Sequence, residues 1–252
     1  MPFILLLLLV GTTPIGQLFY EKTRESLEGP RGEAFENRPE PPPPFLKFEE
    51  AKKIVLPEPF AIDMTLFEAL LERRSRRSYS RDSLDLRELS NLLFAGQGIT
   101  ERRKKFALRA SPSAGALYPI ELFIAVNRVR GLKPGLYHYS PEDHSIEYLR
   151  RDGNLWDRLY RASLWQRWVY DAAAVIIVAA VVDRTRAKYG ERGWRYVFME
   201  AGHTSQNLYL MATALGLGTV AVGAFADDEV SEILKVPGTY PLYLQPVGKV
   251  SR

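Results

Sequence analysis

A ten-residue stretch over residues 72–81 holds the densest group of side chains that could do chemistry. It contains the following arginines and serines: Arg73, Arg74, Ser75, Arg76, Arg77, Ser78, Ser80 and Arg81. Positive charges at this density repel one another, so an ordered conformation needs an anion among them. Guanidinium groups and serine hydroxyls together suit the oxygens of a phosphate. The alternative interpretation is a solvated helix C-terminus, where cations meet the negative end of the helix dipole.

Three further segments carry polar or glycine content that folding alone does not require. Residues 111–119, SPSAGALYP, lie where a loop meets a helix, so free main-chain N–H groups can meet an anion or a ring edge. A plain helix N-cap is the alternative there. In residues 218–225, a buried strand ends at a glycine. This glycine either lets the backbone approach a flat group or forms a simple turn. Lys249 and Arg252 follow the last predicted strand. They either belong to a frayed tail or bind a phosphate.

The elements that must position these segments follow from hydrophobic periodicity. We predict a helix that is capped by Asp63 or Thr65, and the arginine cluster lies at the end of this helix. Its apolar positions have helical spacing: Leu66, Phe67, Leu70 and Leu71. A second helix is predicted over residues 85–95, strands over 121–126, 135–139 and 145–150, and short helices over 154–162 and 165–170.

The apolar run over residues 172–182 is too short to cross a membrane and predicts a central strand covered on both faces. A long helix follows over about residues 192–215, and its second half is apolar nearly all round, which predicts burial on every side. A strand at 219–223, a helix at 227–234 and a strand at 240–247 complete the chain. Strands and helices alternate without a doubly wound repeat, so we predict an α+β fold with a mixed central sheet flanked by helices.

Composition sets limits on the function. The chain has 252 residues, 46% of them hydrophobic, a net charge of +4 and no cysteine. Disulfides, thiol nucleophiles and cysteine–zinc sites are therefore excluded, and His138, His144 and His203 show no metal-ligand spacing. We interpret His203 as a core histidine. The basic residues concentrate at 73–81 and 101–109 rather than along one face, and the single aromatic residue in each stretch is too little for base stacking, which argues against nucleic-acid binding.

The N-terminal 44 residues differ from the rest. Residues 1–20 form an apolar segment whose run from Phe3 to Tyr20 would span roughly 27 Å as a helix, close to the thickness of a bilayer core. We favour membrane association through residues 3–20 with the remaining chain in the cytoplasm, and the alternative is a helix docked on the domain or on a partner subunit. The composition of residues 21–44 predicts a Pro-rich linker. The globular domain covers residues 45–252, so residues 1–44 are expected to be removable.

Eight segments, in this order, resemble the FMN-dependent nitroreductase superfamily. They are LPEP, RRSRRSYS, LSNLLFAGQGIT, PSAGALYPIELF, GLYHY, KYGERGWRY, EAGHTSQNLYLMATALGLGTVAVGAF and PLYLQPVGK. The resemblance runs from Leu56 to Arg252. It is closer to the SagB-type branch, which includes the azoline dehydrogenases of peptide natural-product maturation.

This resemblance implies a nitroreductase-like fold and an intertwined homodimer with FMN at the subunit interface. Arg73 and Ser75 match phosphate ligands in an arginine–X–serine motif, whose middle residue is Arg74, and Arg77 matches the cation beside the flavin N1–C2 edge. Pro112, Ser113, Ala114 and Gly115 match a loop that the second subunit contributes to the flavin site. Gly223 and Ala224 match the backbone that faces flavin N5 and O4. Lys249 and Arg252 match ligands of the phosphate. Many members carry an acidic residue at the position of Gly223.

The function implied is FMN-dependent hydride transfer through flavin N5, on a small molecule or a peptide azoline. Lys188 and Tyr189 match a pair that assists proton removal in azoline dehydrogenases. An ordinary lysine is a poor base at neutral pH, so the site would have to lower its pKa. The alternatives are an NAD(P)H-dependent nitro- or quinone-type reductase and a flavin-binding module without turnover. The alternative interpretation of Lys188 and Tyr189 is that they only form the end of a surface helix.

Overall fold

The computed structural model describes residues 14–24, 38–104 and 107–251. Three predicted features lie outside the described residues: residues 3–13 of the apolar segment, residues 25–37 of the linker and the candidate phosphate ligand Arg252.

The described part of the chain forms these strands: β1 (Lys52–Val55), β2 (Ile99–Arg102), β3 (Ala107–Arg109), β4 (Ile120–Val126), β5 (Gly135–Ser140), β6 (Ser145–Arg150), β7 (Ala174–Ala180), β8 (Leu217–Thr219) and β9 (Tyr240–Lys249). It forms these helices: α1 (Ile15–Lys22), α2 (Leu66–Glu72), α3 (Leu86–Gln97), α4 (Leu155–Ala162), α5 (Arg167–Asp171), α6 (Asp183–Tyr189), α7 (Gly193–Ala214) and α8 (Asp227–Leu234).

Seven strands form one central sheet in the order β1-β6-β5-β4-β7-β9-β8. Helices flank this sheet, so the predicted α+β class is confirmed. The structure adds the strand directions, because each pairing between neighbouring strands of the sheet is antiparallel. β4 and β7 lie side by side at its centre, and every residue of both strands is buried. The apolar run over 172–182 therefore forms the doubly covered strand that its length and its valines predict.

Local capping fixes the two helices on which the arginine cluster depends. Thr65 is the N-cap of α2 and forms a capping box with Glu68: the Glu68 N–H donates to Thr65 Oγ1 at 3.2 Å, and the Glu68 carboxylate accepts from the Thr65 N–H at 2.8 Å. Asp85 and Glu88 form the equivalent box at the start of α3. Such boxes satisfy main-chain donors that would otherwise lack partners, so they determine where each helix begins.

α7 is the longest helix and crosses the core beside α3 and β4, but it is buried on one face only. Val197, Ala201 and Leu208 are buried there, whereas Phe198 and Met199 are 48% and 58% exposed. His203 is also exposed, so its interpretation as a core histidine is wrong. The predicted burial of α7 on every side is likewise not found within one chain.

α1 docks on the first turns of α7. The rings of Phe19 and Phe198 lie 6.4 Å apart, and the carbonyl oxygen of Thr23 accepts a 2.6 Å hydrogen bond from Arg192. Arg195 donates to the Thr23 hydroxyl at 2.5 Å. Among the residues that the structure describes, no helix combines the length and apolarity needed to cross a membrane. For α1, docking on the domain is the arrangement that the alternative interpretation predicted.

Candidate functional site

The arginine cluster begins where α2 ends. Arg73 is the C-cap of the helix, and the Arg74 guanidinium folds back to donate to the carbonyl oxygens of Leu71 at 2.8 Å and Arg73 at 2.7 Å. Those carbonyls have no partner within the helix, and a cation there also meets the negative end of the dipole. Arg74 therefore stabilises the helix end, as the alternative interpretation of the cluster predicts.

Tyr209, on α7, organises the next residues of the cluster. Its hydroxyl lies 3.0 Å from Ser75 Oγ and accepts a 2.8 Å hydrogen bond from the main-chain N–H of Ala221. The Arg73 guanidinium lies 5.1 Å from the centre of the same ring, a cation–π distance. One tyrosine thus links the motif of Arg73 and Ser75 to the segment that leads to Gly223.

The cluster carries unneutralised positive charge. Within the described part of the chain, no carboxylate lies at ion-pair distance from four of its guanidinium groups, those of Arg73, Arg74, Arg76 and Arg77. Arg81 is different, because it lies 3.7 Å from the carboxylate of Asp171. Uncompensated guanidiniums in one short segment raise the local potential and attract a multivalent anion.

The cluster is anchored to the C-terminal strand. The N–H of Ser80 donates to the carbonyl of Lys249 at 2.9 Å. The Tyr79 ring lies against Gly218 and Gly248, where a Cβ at either glycine would come within 2.9 Å of it. These two glycines are therefore required for close packing of the cluster on β8 and β9.

Lys249 has an acidic partner. Its ammonium group forms an ion pair with the carboxylate of Glu88, in the first turn of α3, and both side chains are largely buried. Among the described residues it makes no contact with the side chains of Arg73 or Ser75. The structure therefore does not bring this candidate together with the other phosphate ligands.

Arg77 and the segment that carries Gly223 and Ala224 are joined through α5. The Arg77 guanidinium lies 5.4 Å from the ring of Trp168, and the Gln166 amide donates to the Ala224 carbonyl at 2.7 Å. Gly223 is exposed, and a Cβ there would meet only Tyr243 at 3.7 Å. The backbone at Gly223 is thus open to a flat group.

The candidate catalytic pair lies against the loop of Pro112–Gly115. Gly115 has a φ of 66°, and a Cβ on it would come 2.8 Å from Tyr189 Oη and 2.9 Å from Lys188 Nζ. The positive φ favours glycine at this position, and a Cβ would also have to displace the ends of the Lys188 and Tyr189 side chains. In the same loop, Ser113 Oγ accepts a 2.9 Å hydrogen bond from the N–H of Tyr118. The structure therefore brings Lys188, Tyr189 and the loop together.

Lys188 and Tyr189 form the last residues of α6. Lys188 is exposed in the single chain, and its ammonium lies 5.3 Å from the Tyr189 ring centre. Tyr189 is half-buried and meets the Tyr196 ring edge to face at 4.9 Å. An exposed lysine beside a packed tyrosine is also what the surface-helix interpretation predicts, so the geometry within one chain is compatible with both.

Glu200, on α7, is a buried acid that sequence reasoning did not single out. It is only 2% exposed, and its Oε1 has no hydrogen-bond partner among the described residues. Burial raises the pKa of Glu200 to about 7, against the lowering effect of the Ser113 hydroxyl, the Ile120 N–H, Arg109 and Arg184. The only signal in the sequence was an acidic residue in the first half of a helix whose second half is apolar nearly all round.

A buried charge network lies beside this acid. His138 is held between two carboxylates, with Nδ1 2.8 Å from Glu147 and Nε2 2.9 Å from Glu121. Burial lowers the pKa of His138, but the two carboxylates outweigh it and raise the pKa above its ordinary value. Glu121 also pairs with Arg184 at 2.6 Å, and Arg184 donates to the Tyr118 carbonyl at 2.9 Å. The network thus reaches the end of the loop that carries Ser113.

Taken together, an antiparallel sheet flanked by helices, an uncompensated arginine segment and a glycine loop facing a lysine–tyrosine pair define an α+β protein with a candidate anion-binding site. The chain belongs to the nitroreductase family, whose family model matches residues 70–249.

Known relatives agree with this assignment. The chain is 49% identical over 187 residues to MJ1384 of Methanocaldococcus jannaschii, which is named as a nitroreductase, covering 74% of this chain and 92% of that protein. It is 26% identical over 159 residues to the microcin B17-processing protein McbC of Escherichia coli, covering 57% of this chain and 55% of McbC. The crystal structure of an Anabaena variabilis protein named as a nitroreductase superposes with a TM-score of 0.69 at 33% identity, covering 81% of this chain and 42% of that one. The chain thus spans about half the length of McbC and less than half of the Anabaena chain.

Proteins of this family generally use a flavin, and the donor set of this site fits FMN. The guanidiniums beside Ser75 suit a terminal phosphate, and the open backbone at Gly223 suits the edge of a planar ring. Arg77 can stabilise negative charge near that ring. Lys249 fits less well, because Glu88 already engages its ammonium group.

Proposed function

We propose that this chain is an FMN-dependent oxidoreductase of the SagB type that transfers hydride through flavin N5 and acts as a homodimer. The observation that carries the proposal is the uncompensated guanidinium cluster, organised by Tyr209 around Ser75. Similarity to McbC, a processing protein of a peptide product, supports the SagB-type branch and an azoline-type substrate.

In this proposal Arg73 and Ser75 hold the phosphate, with Arg74 fixing the end of α2 beside them. Arg77 holds the electron-rich edge of the ring, and the backbone at Gly223 and Ala224 faces its reactive edge. Pro112, Ser113, Ala114 and Gly115 form the loop that reaches the flavin of the second subunit, and Arg252 completes the phosphate environment. Lys249 could join it only by leaving the carboxylate of Glu88. When bound, FMN supplies the hydride acceptor or donor.

Oxidation of an azoline ring removes a hydride and a proton, so a group of the chain has to take the proton. We assign this role to Lys188 and Tyr189, because their polar atoms converge at Gly115 in the proposed flavin loop. Lys188 is exposed in one chain, and a base of this type needs burial or nearby cations to lower its pKa. A second subunit and the substrate would supply that burial.

The homodimer is supported by apolar surface that one chain leaves uncovered. On α2, Leu66, Phe67, Leu70 and Leu71 are 67%, 69%, 52% and 57% exposed. A cavity of about 440 Å³ adjoins this face, and its lining includes Leu66 and Met211. Contiguous apolar surface of this kind is typical of a subunit interface. A second copy would also cover the exposed side of α7.

Flavin content tests the proposal. Purified protein should carry FMN rather than FAD, and Arg73→Ala should weaken FMN binding about tenfold or more, since a charge-assisted contact contributes about 1.5–3 kcal/mol. FMN affinity is measured by quenching of flavin fluorescence. Arg151→Ala is the matched control, because Arg151 is exposed and lies outside the site. Equal affinity in Arg73→Ala, Arg151→Ala and wild type would contradict the assignment.

Electron donors separate the proposal from its alternatives. An NAD(P)H-dependent nitro- or quinone-type reductase should oxidise NADH or NADPH under air once FMN is bound. A flavin-binding module should show neither this reaction nor oxidation of an azoline substrate. The SagB-type assignment predicts azoline oxidation, with the flavin reoxidised by an added acceptor.

A further inference from the structure

The loop of Pro112–Gly115 continues into a segment whose backbone is strained. Ala116 has a φ of 54° and Tyr118 a φ of 47°, in the left-handed region that side chains other than glycine rarely occupy. Strain of this kind persists only where the surrounding structure fixes the residue, and it concentrates at functional sites. Contacts around Tyr118 must therefore hold the loop in this shape.

Tyr118 is held through both its backbone and its side chain, and it is only 6% exposed. Its N–H donates to Ser113 Oγ at 2.9 Å, and its hydroxyl accepts from the main-chain N–H of Arg109 at 3.0 Å. Its carbonyl oxygen accepts from Arg184 Nη1 at 2.9 Å. The Arg109 guanidinium also lies 4.8 Å from the centre of the ring, a cation–π distance. Each polar group of Tyr118 thus has a partner, and these contacts offset the strain of the backbone.

Arg184 connects this loop to the helix that carries the candidate pair. It lies in the first turn of α6, and Lys188 follows one helical turn later on the same side of the helix. α6 therefore contacts the loop at two places. Arg184 contacts it at Tyr118, and the side chains of Lys188 and Tyr189 lie against Gly115.

Arg184 is itself fixed by two further acceptors. It is 2% exposed, forms an ion pair with Glu121 at 2.6 Å and donates through Nε to the Pro43 carbonyl at 2.7 Å. A guanidinium offers its donors in a rigid planar fork, so three acceptors determine where it lies. The position of the Tyr118 carbonyl relative to α6 is determined with it.

We propose that Arg184 and Tyr118 form a positioning clamp, which keeps the loop of Pro112–Gly115 at a fixed distance from Lys188 and Tyr189. This role rests on the proposed function, since the loop is assigned to the flavin and the pair to the substrate proton. Without the clamp, the loop relaxes from its left-handed conformation and separates from the pair. The base then meets the substrate in a poor geometry, and a misplacement of about 1 Å can lower a rate roughly 10²-fold.

Arg184→Lys tests the clamp, because lysine keeps the positive charge beside Glu121 and lacks the fork that reaches the Tyr118 carbonyl. FMN affinity should stay within about threefold of wild type, since the guanidinium cluster is untouched. The kcat for oxidation of an azoline-type substrate should fall about tenfold or more, while KM and the reoxidation of dithionite-reduced flavin stay nearly unchanged. Arg158→Lys is the matched control, because Arg158 is an ion-paired arginine on α4, 3.0 Å from Asp152.

A double-mutant cycle separates positioning from general structural support. If the clamp acts through the pair, Arg184→Lys should lower kcat little further once Lys188→Ala has removed the base. Independent effects would multiply instead. Tyr118→Phe removes only the acceptor of the Arg109 N–H, and the same cycle with this variant decides if Arg184→Lys does not fold.

Amide hydrogen exchange gives a readout that depends neither on activity nor on bound FMN. Exchange in residues 113–118 should become about tenfold faster in Arg184→Lys, as expected for loss of a hydrogen bond to a charged donor. It should match wild type in Lys188→Ala, which leaves the clamp intact. Exchange within β7 is the internal control, because global unfolding would speed it as well.

The outcomes are distinct. Unchanged loop exchange in both Arg184→Lys and Tyr118→Phe would overturn the clamp. Faster loop exchange with full kcat, or losses that multiply in the cycle, would overturn its positioning role. If wild type itself binds no FMN and oxidises no substrate, the proposed function fails and the positioning role falls with it. Failure confined to the Arg184 and Tyr118 variants overturns the clamp alone.

Discussion

At the scale of single residues, Tyr209 couples parts of the site that are far apart in the sequence. Its hydroxyl contacts the Ser75 hydroxyl and accepts from the Ala221 N–H, and its ring lies below the Arg73 guanidinium. A small change in the position of α7 would therefore move the arginine cluster and the Gly223 segment together. Flavin binding and the proposed dimer surface of α7 are expected to be linked for this reason.

The roles of Lys188 and Tyr189 can be separated from flavin binding. Lys188→Ala and Tyr189→Phe should keep FMN, because neither residue belongs to the guanidinium cluster. Both should lower oxidation of an azoline-type substrate roughly 10²-fold, the typical loss when a general base is removed. The measurement is the initial rate of substrate oxidation, compared with the rate at which dithionite-reduced protein is reoxidised.

The second rate serves as the internal control, since reoxidation needs no base for a substrate proton. Lys52→Ala provides a matched exposed lysine on β1, remote from the loop. Unchanged substrate oxidation in both variants would show that the pair only ends a surface helix. In that case the chain is better described as a general flavin reductase.

Residue types identified the candidates at the arginine cluster, but partners across strands could not be read from the sequence. His138 lies directly opposite Glu147 in the register of β5 with β6, and Glu121 reaches the same histidine from β4. Strand register is set by the whole sheet, so the three residues looked like isolated polar positions. Tyr209 could not be identified for a similar reason, because its partner Ser75 lies far away in the chain.

At the scale of elements, local signals were sufficient wherever caps and periodicity agree. α8 was predicted over residues 227–234 and β6 over 145–150, and both have those bounds. The hairpin of β2 and β3 was not predicted, because its charged sequence shows little alternation and a bulge interrupts its pairing. Such a hairpin depends on its neighbours more than on its own residues.

The N-terminal region has two parts, and the run of prolines separates them. Pro43 and Pro44 lie against the domain, where their carbonyl oxygens accept hydrogen bonds from the buried Arg184 at 2.7 Å and from Arg109 at 3.2 Å. Removal of these acceptors leaves Arg184 Nε and Arg109 Nη2 without their hydrogen-bond acceptors, although each guanidinium keeps other partners, and an unpaired buried charged donor is costly. The end of the region predicted as a linker therefore contributes to the fold.

Two truncations test this division. Deletion of residues 1–37 removes α1 and should cost at most about 2 kcal/mol, because no residue of α1 is buried and the half-buried guanidiniums of Arg192 and Arg195 regain water when Thr23 is gone. Deletion of residues 1–44 should cost about 3 kcal/mol more, since two hydrogen bonds to buried guanidiniums are lost. Urea unfolding of both variants measures the difference. Equal stability of the two would show that residues 38–44 are a passive linker, and loss of the folded state in the shorter deletion would make α1 a structural helix.

At the scale of the whole molecule, the uncovered apolar faces of α2 and α7 are the main feature that one chain leaves unexplained. The apolar sequence of α7 predicted burial on every side, and one chain covers only one of its faces. A second copy placed on these faces resolves the difference between the sequence pattern and the exposed side chains. It would also bring the loop of one subunit to the flavin site of the other, as the family resemblance implies.

Substitutions on α2 test this arrangement. Phe67→Asp and Leu70→Asp place a charge on the exposed apolar face without disturbing the core, since these side chains are 69% and 52% exposed. Burying such a side chain contributes about 1.5–3 kcal/mol, so each substitution should raise the dimer dissociation constant roughly 10- to 100-fold. Light scattering coupled to size-exclusion chromatography measures the mass, and absorbance near the flavin band measures FMN content in the same run. Val55→Asp is the matched control, because Val55 is 75% exposed on the edge strand β1. A dimer that resists both α2 substitutions would place the subunit interface elsewhere, and a monomer that keeps its full FMN content would show that one subunit suffices to bind the flavin.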